Sequence, residues 1–338
     1  MAFLSLLQSC GEKVDVQDKM LPPPNAQNLD PEKRIAYLTE MIDEEDLAPL
    51  HYERARLYLT VNRTPAALRD INRALSLDRN NAEYYVVKAK ADFFQGNTAE
   101  AMQSANFALN KGINSLELNL LLGKLYKQIG NEVESLRYLQ KVLVKQPNNY
   151  NATFLCGKIY ANQNDTAASF QYLRKAIELA PQEKEPYNTF IALLNEYEEY
   201  EQALDISEKY LKNNEPDAKF SYYLGALIEQ RGMADSAIYW FEKSYTEDAH
   251  WQPGIKIARY RMKSGDFTEA NRLYEKVLEQ NPAIENGYYE LGYLNEYVLG
   301  DLDRALEAYQ KGLEFDTLNN RYPYYINRVN RKIEFQNL

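Results

Sequence analysis

Histidine and cysteine are scarce in this chain, with two of each among 338 residues. None of them belongs to a CxxC or HExxH motif, so the sequence offers no metal-binding spacing. A phosphate-binding glycine loop and the Ser-His-Asp order of some hydrolases are absent as well. From these absences we predict a protein that is not an enzyme and has no catalytic residues, no metal site and no cofactor.

Glycine and proline are also few, at 14 and 13 residues, which argues against a turn-rich sheet fold and against long disorder. No run of eighteen apolar residues occurs, so the sequence predicts no membrane-spanning helix. Basic residues do not dominate, because the net charge is −10. General nucleic-acid binding requires a basic surface and is therefore disfavoured.

A small residue recurs at a nearly fixed interval along most of the chain. Its positions are Ala67, Ala101, Ser135, Ser169, Ala203, Ala237, Ala270 and Ala305. The first five intervals are 34 residues, the next is 33 and the last is 35. A second small residue usually precedes each of these by about twelve positions, at Ala55, Ala89, Gly123, Gly157, Gly225, Ala258 and Gly292. The fifth unit departs with Ile191, and the last unit has one extra residue near Val298 or Leu299.

This pattern resembles the tetratricopeptide repeat, whose landmarks are a large residue, Leu-Gly, Tyr, Ala, an aromatic residue, Ala and Pro. The resemblance implies an all-α solenoid, a right-handed superhelix of antiparallel helix pairs. About eight repeats would occupy residues 48–318, with an N-terminal capping helix in residues 29–47 and a C-terminal one in residues 319–338. Facing small residues would let paired helices approach closely, and Pro147, Pro181 and Pro282 would end three of the repeats.

In this family the first helix of each pair lines a concave groove that takes extended peptides or helices of a partner. The residue after the first small landmark faces that groove, and in the first four repeats it is Arg56, Lys90, Lys124 or Lys158. Lys127 lies about one helical turn after Lys124. The aromatic groove candidates are Phe93, Phe94, Phe154, Tyr222, Tyr223, Tyr289 and Tyr293. We predict a protein partner with an acidic and apolar segment. The alternative is a solvated basic face, copied by repeat duplication.

Two further residues have interior interpretations. His51 occupies the first large-residue position of the first repeat, which predicts a core or boundary residue. Cys156 replaces the leucine before Gly157 and is predicted to face the repeat core, where a cysteine acts as a small, unreactive apolar residue.

The N-terminus resembles a bacterial lipoprotein signal. The apolar run from Phe3 to Leu7 leads into Leu-Gln-Ser-Cys, which would make Cys10 the lipidation site. No Lys or Arg precedes the run, and it is shorter than a signal core, so a start upstream of this Met is one account. Residues 1–28 would then comprise a signal remnant and a flexible tether. The alternative is an N-terminus with an incidental cysteine.

The functional prediction is a non-catalytic scaffold that binds a partner segment in the groove. The lipoprotein resemblance implies a lipid anchor at a bacterial cell envelope, with no other membrane contact, and assistance to assembly or secretion machinery. The alternative is a cytoplasmic adaptor or the regulatory subunit of an enzyme complex. The repeat pattern does not distinguish these roles or an oligomeric state, because a fold does not fix a function.

Overall fold

The structure is a computed structural model that describes residues 30–315 and 321–336. Within these ranges the chain forms helices and no strand. In chain order they are α1 (Pro31–Glu44), α2 (Ala48–Thr60), α3 (Thr64–Leu77), α4 (Ala82–Gln95), α5 (Thr98–Asn110), α6 (Leu116–Gln128), α7 (Glu132–Lys145), α8 (Tyr150–Asn162), α9 (Thr166–Leu179), α10 (Lys184–Glu196), α11 (Tyr200–Asn213), α12 (Ala218–Gln230), α13 (Ala234–Glu247), α14 (Trp251–Ser264), α15 (Phe267–Gln280), α16 (Gly287–Tyr293), a π-helix (Leu294–Leu299), α17 (Leu302–Phe315) and α18 (Tyr322–Gln336). The predicted all-α repeat fold is confirmed.

The described helices follow the repeat period and belong to two compact units, which divide after Gln163. In the first unit, α2 packs on α3, α4 on α5 and α6 on α7. In the second unit, the corresponding pairs are α10–α11, α12–α13, α14–α15 and α16–α17. The first helix of each pair is called helix A below, and the second is called helix B.

Paired helices approach closely because the small residue of helix A accommodates a bulky residue of helix B. A Cβ atom at Gly123 would lie only 2.6 Å from Cδ2 of Leu139. The hydroxyl of Ser135, the small residue of the same helix B, donates to the Gly123 carbonyl at 2.6 Å. Gly225 has the same relation to Phe241, whose ring would lie 2.9 Å from an added Cβ. In these repeats the helix-A glycine therefore makes room for the residue four positions after the small residue of helix B.

The fifth repeat keeps the pairing of α10 with α11 although it lacks the helix-A glycine. Ile191 occupies that position and is fully buried. The turn that follows places Glu198 at φ 59°, in the left-handed region that normally favours glycine. This repeat therefore has a larger core residue where its neighbours have Gly157 and Gly225, and it has glutamate at a turn position that is Asn164 in the fourth repeat and Gly232 in the sixth.

The extra residue of the eighth repeat forms a π-helix. The six residues Leu294–Leu299 continue α16 with the wider i→i+5 turn, which holds one more residue than an α-turn. Three consecutive side chains, those of Leu294, Asn295 and Glu296, are buried there. Two of these buried side chains, those of Asn295 and Glu296, are polar and therefore need hydrogen-bond partners inside the repeat.

The terminal helices cover the ends of the array. Ile35 and Leu38 of α1 are buried against Leu50 and Leu57 of α2. At the other end, Val329 of α18 is fully buried in a cluster with residues of α17, and Ile326 and Ile333 pack beside it. Covering the exposed core at each end of a solenoid is the role of such capping helices.

The interior interpretations of His51 and Cys156 are confirmed by their burial. His51 is only 6% exposed, with Nε2 at 2.7 Å from Asp46 and Nδ1 at 3.3 Å from Asp70. Cys156 is fully buried, and burial raises the pKa of its thiol to about 12. Because a thiolate is the reactive form, Cys156 acts as a packing residue.

None of the described helices has the length and apolar character needed to cross a bilayer. Across residues 30–315 and 321–336, no group of three His, Cys, Asp or Glu side chains is placed to hold a metal ion.

Replacing Gly123 with Leu tests the close approach of helices A and B. The new side chain would collide with Leu139, and overpacking of this kind typically costs about 1–3 kcal/mol. We expect a lower Tm, measured by circular dichroism. The control is Gln128→Leu, which adds the same side chain at an exposed position of the same helix. An unchanged Tm for the Gly123 variant would show that this contact does not determine packing.

Candidate functional site

The helix-A face of the first unit carries cations that are partly neutralised by acidic neighbours. Arg56 is exposed, and its Nη1 lies 3.2 Å from Oε1 of Glu53. The Lys90 ammonium lies 2.6 Å from Oε1 of Glu117, which belongs to helix A of the next repeat. The first two of the four predicted groove cations, Arg56 and Lys90, are therefore each paired with a carboxylate.

Lys124 differs from its neighbours in lacking a counter-ion. Its side chain is half-buried, and none of the residues that the structure describes forms an ion pair with it. Burial, together with the nearby charge of Lys90, lowers the pKa of the Lys124 ammonium. Lys127 is half-buried one turn further along α6, again with no ion pair among the described residues. A carboxylate placed here by a partner would stabilise both charges.

Lys158 lies on α8 beside an aromatic ring. Its ammonium is 5.3 Å from the centroid of the Phe154 ring, a cation–π distance. Phe154 is only 8% exposed and stacks on Tyr150 with ring centroids 6.1 Å apart. Phe154 thus offers a partner little surface, in contrast to its predicted place in the groove, because the ring turns toward the start of its own helix.

Phe93 and Phe94 at the end of α4 have different surroundings. Phe93 is half-buried against the core that α4, α5 and α6 share. Phe94 is 53% exposed, and its ring meets that of Phe93 edge-on at 5.8 Å. Of the two predicted groove rings, Phe94 is the one with a free face.

The second unit contains a cleft of about 840 Å³ on helix A of the sixth and seventh repeats. Its apolar lining includes Tyr222 of α12, Trp251, Ile255 and Met262 of α14, and Ile284 of the following link. The predicted groove residue Tyr222 is therefore part of a real concavity. Tyr223 lies next to it, half-buried, with its ring 5.5 Å from that of Tyr222.

Charged side chains form the rim of this cleft. Arg259 donates from Nε to Glu290 at 2.9 Å and from Nη2 to the Glu285 carbonyl at 2.9 Å, which ties α14 to the link and to α16. Lys256 pairs with Glu229 of α12. These bonds fix the shape of the cleft, since each one joins adjacent elements around it. An apolar floor with a few polar groups at its edge suits a large apolar side chain.

The link between α15 and α16 closes one end of the cleft. Asn286 adopts φ 59°, and the next residue, Gly287, is packed so closely that an added Cβ would lie 2.7 Å from Leu278. This sharp turn presents Ile284 to the cleft. Sequence reasoning missed Trp251, Met262 and Ile284, because two of them lie in or next to links that have no repeat landmark.

The tyrosines of the eighth repeat form a series along one helical face. The ring of Tyr289 lies 6.3 Å from that of Tyr293, which lies 5.0 Å from that of Tyr297. Tyr293 is 39% exposed, while Tyr289 is half-buried against Tyr325 of α18. The two predicted residues thus lie close together, and α18 covers the inner one.

The repeated helix pairs and their helix-A faces define a helical-repeat binding protein. A family model described as tetratricopeptide repeat matches residues 120–184 and 255–319. These two segments match the tetratricopeptide repeat that the spacing of small residues resembles. No curated protein matches the sequence.

Solved structures show the same fold at low identity. A tetratricopeptide-repeat protein from Parabacteroides merdae has 15% identity and a TM-score of 0.54, over 73% of this chain and 98% of that one. PilF of Pseudomonas aeruginosa has 15% identity and a TM-score of 0.54, over 64% and 97%. The human IFIT1 dimer with PPP-AAAA has 17% identity and a TM-score of 0.52, over 84% and 68%. Likeness at this level establishes the fold alone.

The pKa of Lys124 can be tested by removing its charged neighbour. Lys90→Met should raise the pKa of Lys124, because a like charge that opposes protonation is lost while the burial remains. NMR titration of isotope-labelled lysine side chains would measure it. Lys33→Met, at an exposed position of α1, is the matched control and should leave that pKa unchanged. A fall in the pKa of Lys124 in the Lys90 variant would contradict the assigned geometry.

Proposed function

We propose that this protein is a non-catalytic scaffold that binds a segment of a partner protein on its helix-A faces. The tetratricopeptide-repeat fold supports protein–protein interaction as the general role. The observation that carries the finer proposal is the half-buried ammonium of Lys124, which no described carboxylate neutralises. Burying a charge without a partner costs free energy, and a bound carboxylate would recover part of it.

The first unit favours an acidic segment. Lys124 and Lys127 lie about one turn apart on α6, so carboxylates near each other in a partner segment could reach both. The free face of Phe94 would contact an apolar side chain of the same segment. Exposed cations mainly raise the association rate and the specificity, whereas partly desolvated ones contribute more to affinity.

The second unit favours a large apolar anchor. The cleft lined by Tyr222, Trp251 and Met262 has room for an aromatic or long aliphatic side chain. Such an anchor, desolvated in a pocket, is the kind of contact that dominates binding energy at protein interfaces. The rim bonds of Arg259 hold the cleft open before binding, which lowers the entropic cost of association.

We further propose that the protein acts as a lipoprotein of a bacterial cell envelope and assists assembly or secretion machinery. This proposal is supported by the resemblance of Phe3–Cys10 to a lipoprotein signal. Cys10 and the tether lie outside the residues that the structure describes. The alternative is a cytoplasmic adaptor or the regulatory subunit of an enzyme complex, which requires the same helix-A faces and no lipid.

Charge reversal tests the helix-A face of the first unit. A protein with Lys90, Lys124 and Lys158 changed to Glu should recover less of an acidic partner, because each substitution replaces attraction with repulsion. Affinity purification from the native host, followed by quantitative mass spectrometry, is the measurement. The control changes three exposed cations at other positions, Lys33, Arg69 and Arg79, to Glu. Equal recovery of every partner by the charge-reversed protein and by the control would show that these cations form a solvated surface and bind no partner.

Cys10→Ala tests the lipid anchor. In the native host we expect the unchanged protein to incorporate labelled fatty acid and to sediment with membranes, and the variant to lose both properties. A native protein that takes up no label and remains in the soluble fraction would leave the cytoplasmic role as the proposal.

A further inference from the structure

The closing helix α18 concentrates positive charge in an acidic protein. It carries three cations, Arg328, Arg331 and Lys332, against the single carboxylate of Glu334, while the whole chain has a net charge of −10. Its apolar residues Ile326, Val329 and Ile333 face the array and are not available to a ligand. The cations therefore lie on the parts of α18 that remain outside the core.

The π-helix of the eighth repeat holds two of these cations in place. The side chain of Glu296 is fully buried and accepts hydrogen bonds from Arg328 at 2.6 and 2.9 Å, from Lys332 at 2.9 Å and from the Tyr309 hydroxyl at 3.0 Å. Burial alone would raise the pKa of this carboxyl, but these hydrogen bonds hold it below its ordinary value. Glu296 is thus an ionised anchor, and one carboxylate cannot neutralise both cations.

Tyrosine rings surround the anchored guanidinium. The Cζ atom of Arg328 lies 5.1–5.4 Å from the ring centroids of Tyr297, Tyr324 and Tyr325. The Lys332 ammonium lies 4.3 Å from the ring of Tyr297. Contacts from several sides make this surface rigid before a ligand arrives, which favours binding.

A cleft of about 870 Å³ opens beside these groups. We call it the closing-helix cleft; it is lined by Gly300, Leu302, Tyr324, Arg331, Lys332 and Phe335, among others. Arg331 is exposed, and no residue in the described ranges forms an ion pair with it. Phe335 is 81% exposed and Tyr324 is 64% exposed. The cleft therefore combines an unpaired cation with two large aromatic surfaces.

We propose that the closing-helix cleft is a second docking site, distinct from the Lys124 face and from the cleft at Tyr222, and that it binds an acidic peptide segment of a partner protein. A carboxylate of that segment pairs with Arg331 and Lys332, and an adjacent apolar side chain covers Phe335. Charge complementarity and the aromatic surfaces determine this choice of partner: Arg331 and Lys332 attract a carboxylate, and Phe335 offers an adjacent apolar contact. A membrane surface fits less well, because the apolar face of α18 is already packed inside the array.

A displayed library of random twelve-residue peptides tests the proposal on the full chain. Selection uses the unchanged protein, with counter-selection against a double variant, Arg331→Glu with Phe335→Ser. Both substituted side chains are exposed, so circular dichroism should show an unaltered fold. We expect enriched peptides to contain Asp or Glu next to aromatic or aliphatic residues.

The affinity of an enriched peptide, measured by fluorescence anisotropy, should fall at least tenfold in Arg331→Glu. It should change less than twofold in Arg69→Glu, a matched charge reversal on α3, and in Lys124→Glu on the helix-A face. Loss of binding in Lys124→Glu alone would place the peptide on that face and overturn the proposal. No enrichment over the counter-selected pool would also overturn it, as would binding to anionic vesicles without binding to any peptide.

Discussion

The close approach of helix A to helix B is the constraint on which the rest of the structure depends. Gly123 and Gly225 leave room for Leu139 and Phe241, so these bulky residues can lie against the opposite backbone. The distance between paired helices then depends on the absence of one side chain. That distance determines how each pair meets the next and which helix-A positions remain outside the core. The binding surfaces that we propose in both units therefore depend on small residues that lie behind them.

Buried and half-buried charges in the described structure are generally paired, so a half-buried charge without a partner is unusual. Asp70 is buried and bound by Arg54 at 2.6 and 2.7 Å, and Glu296 is bound by Arg328 and Lys332. Lys90 and Arg259 reach carboxylates of the following helix A. Pairing of this kind is expected, because an isolated charge loses its hydration on burial. A cation that is half-buried without a partner therefore marks a place where a ligand would gain binding energy.

The sequence predicted the features that repeat and missed those that occur once. The interval between small residues was enough to predict the helix pairs, and the 35-residue interval predicted an irregularity where the π-helix lies. The two clefts left no such signal. Ile284 reaches the first through a link with its own geometry, and Lys332 of the second is held by Glu296, 36 positions earlier. Position in the repeat did not predict the direction of the Phe154 side chain. Its backbone keeps the expected register, but its ring stacks on Tyr150.

The π-helix also makes the eighth repeat dependent on its extra residue. A one-residue insertion in a helix is at first a defect, because it rotates every later side chain out of phase. Here the wider turn absorbs that rotation, and the polar residues buried in it have partners: Asn295 bonds with Asn271 at 2.7 Å, and Glu296 with the closing helix. Deleting the extra residue would leave Asn271 and the cations of the closing helix without these hydrogen bonds. The contacts of the eighth repeat with the seventh and with the closing helix therefore both depend on the six residues of this wider turn.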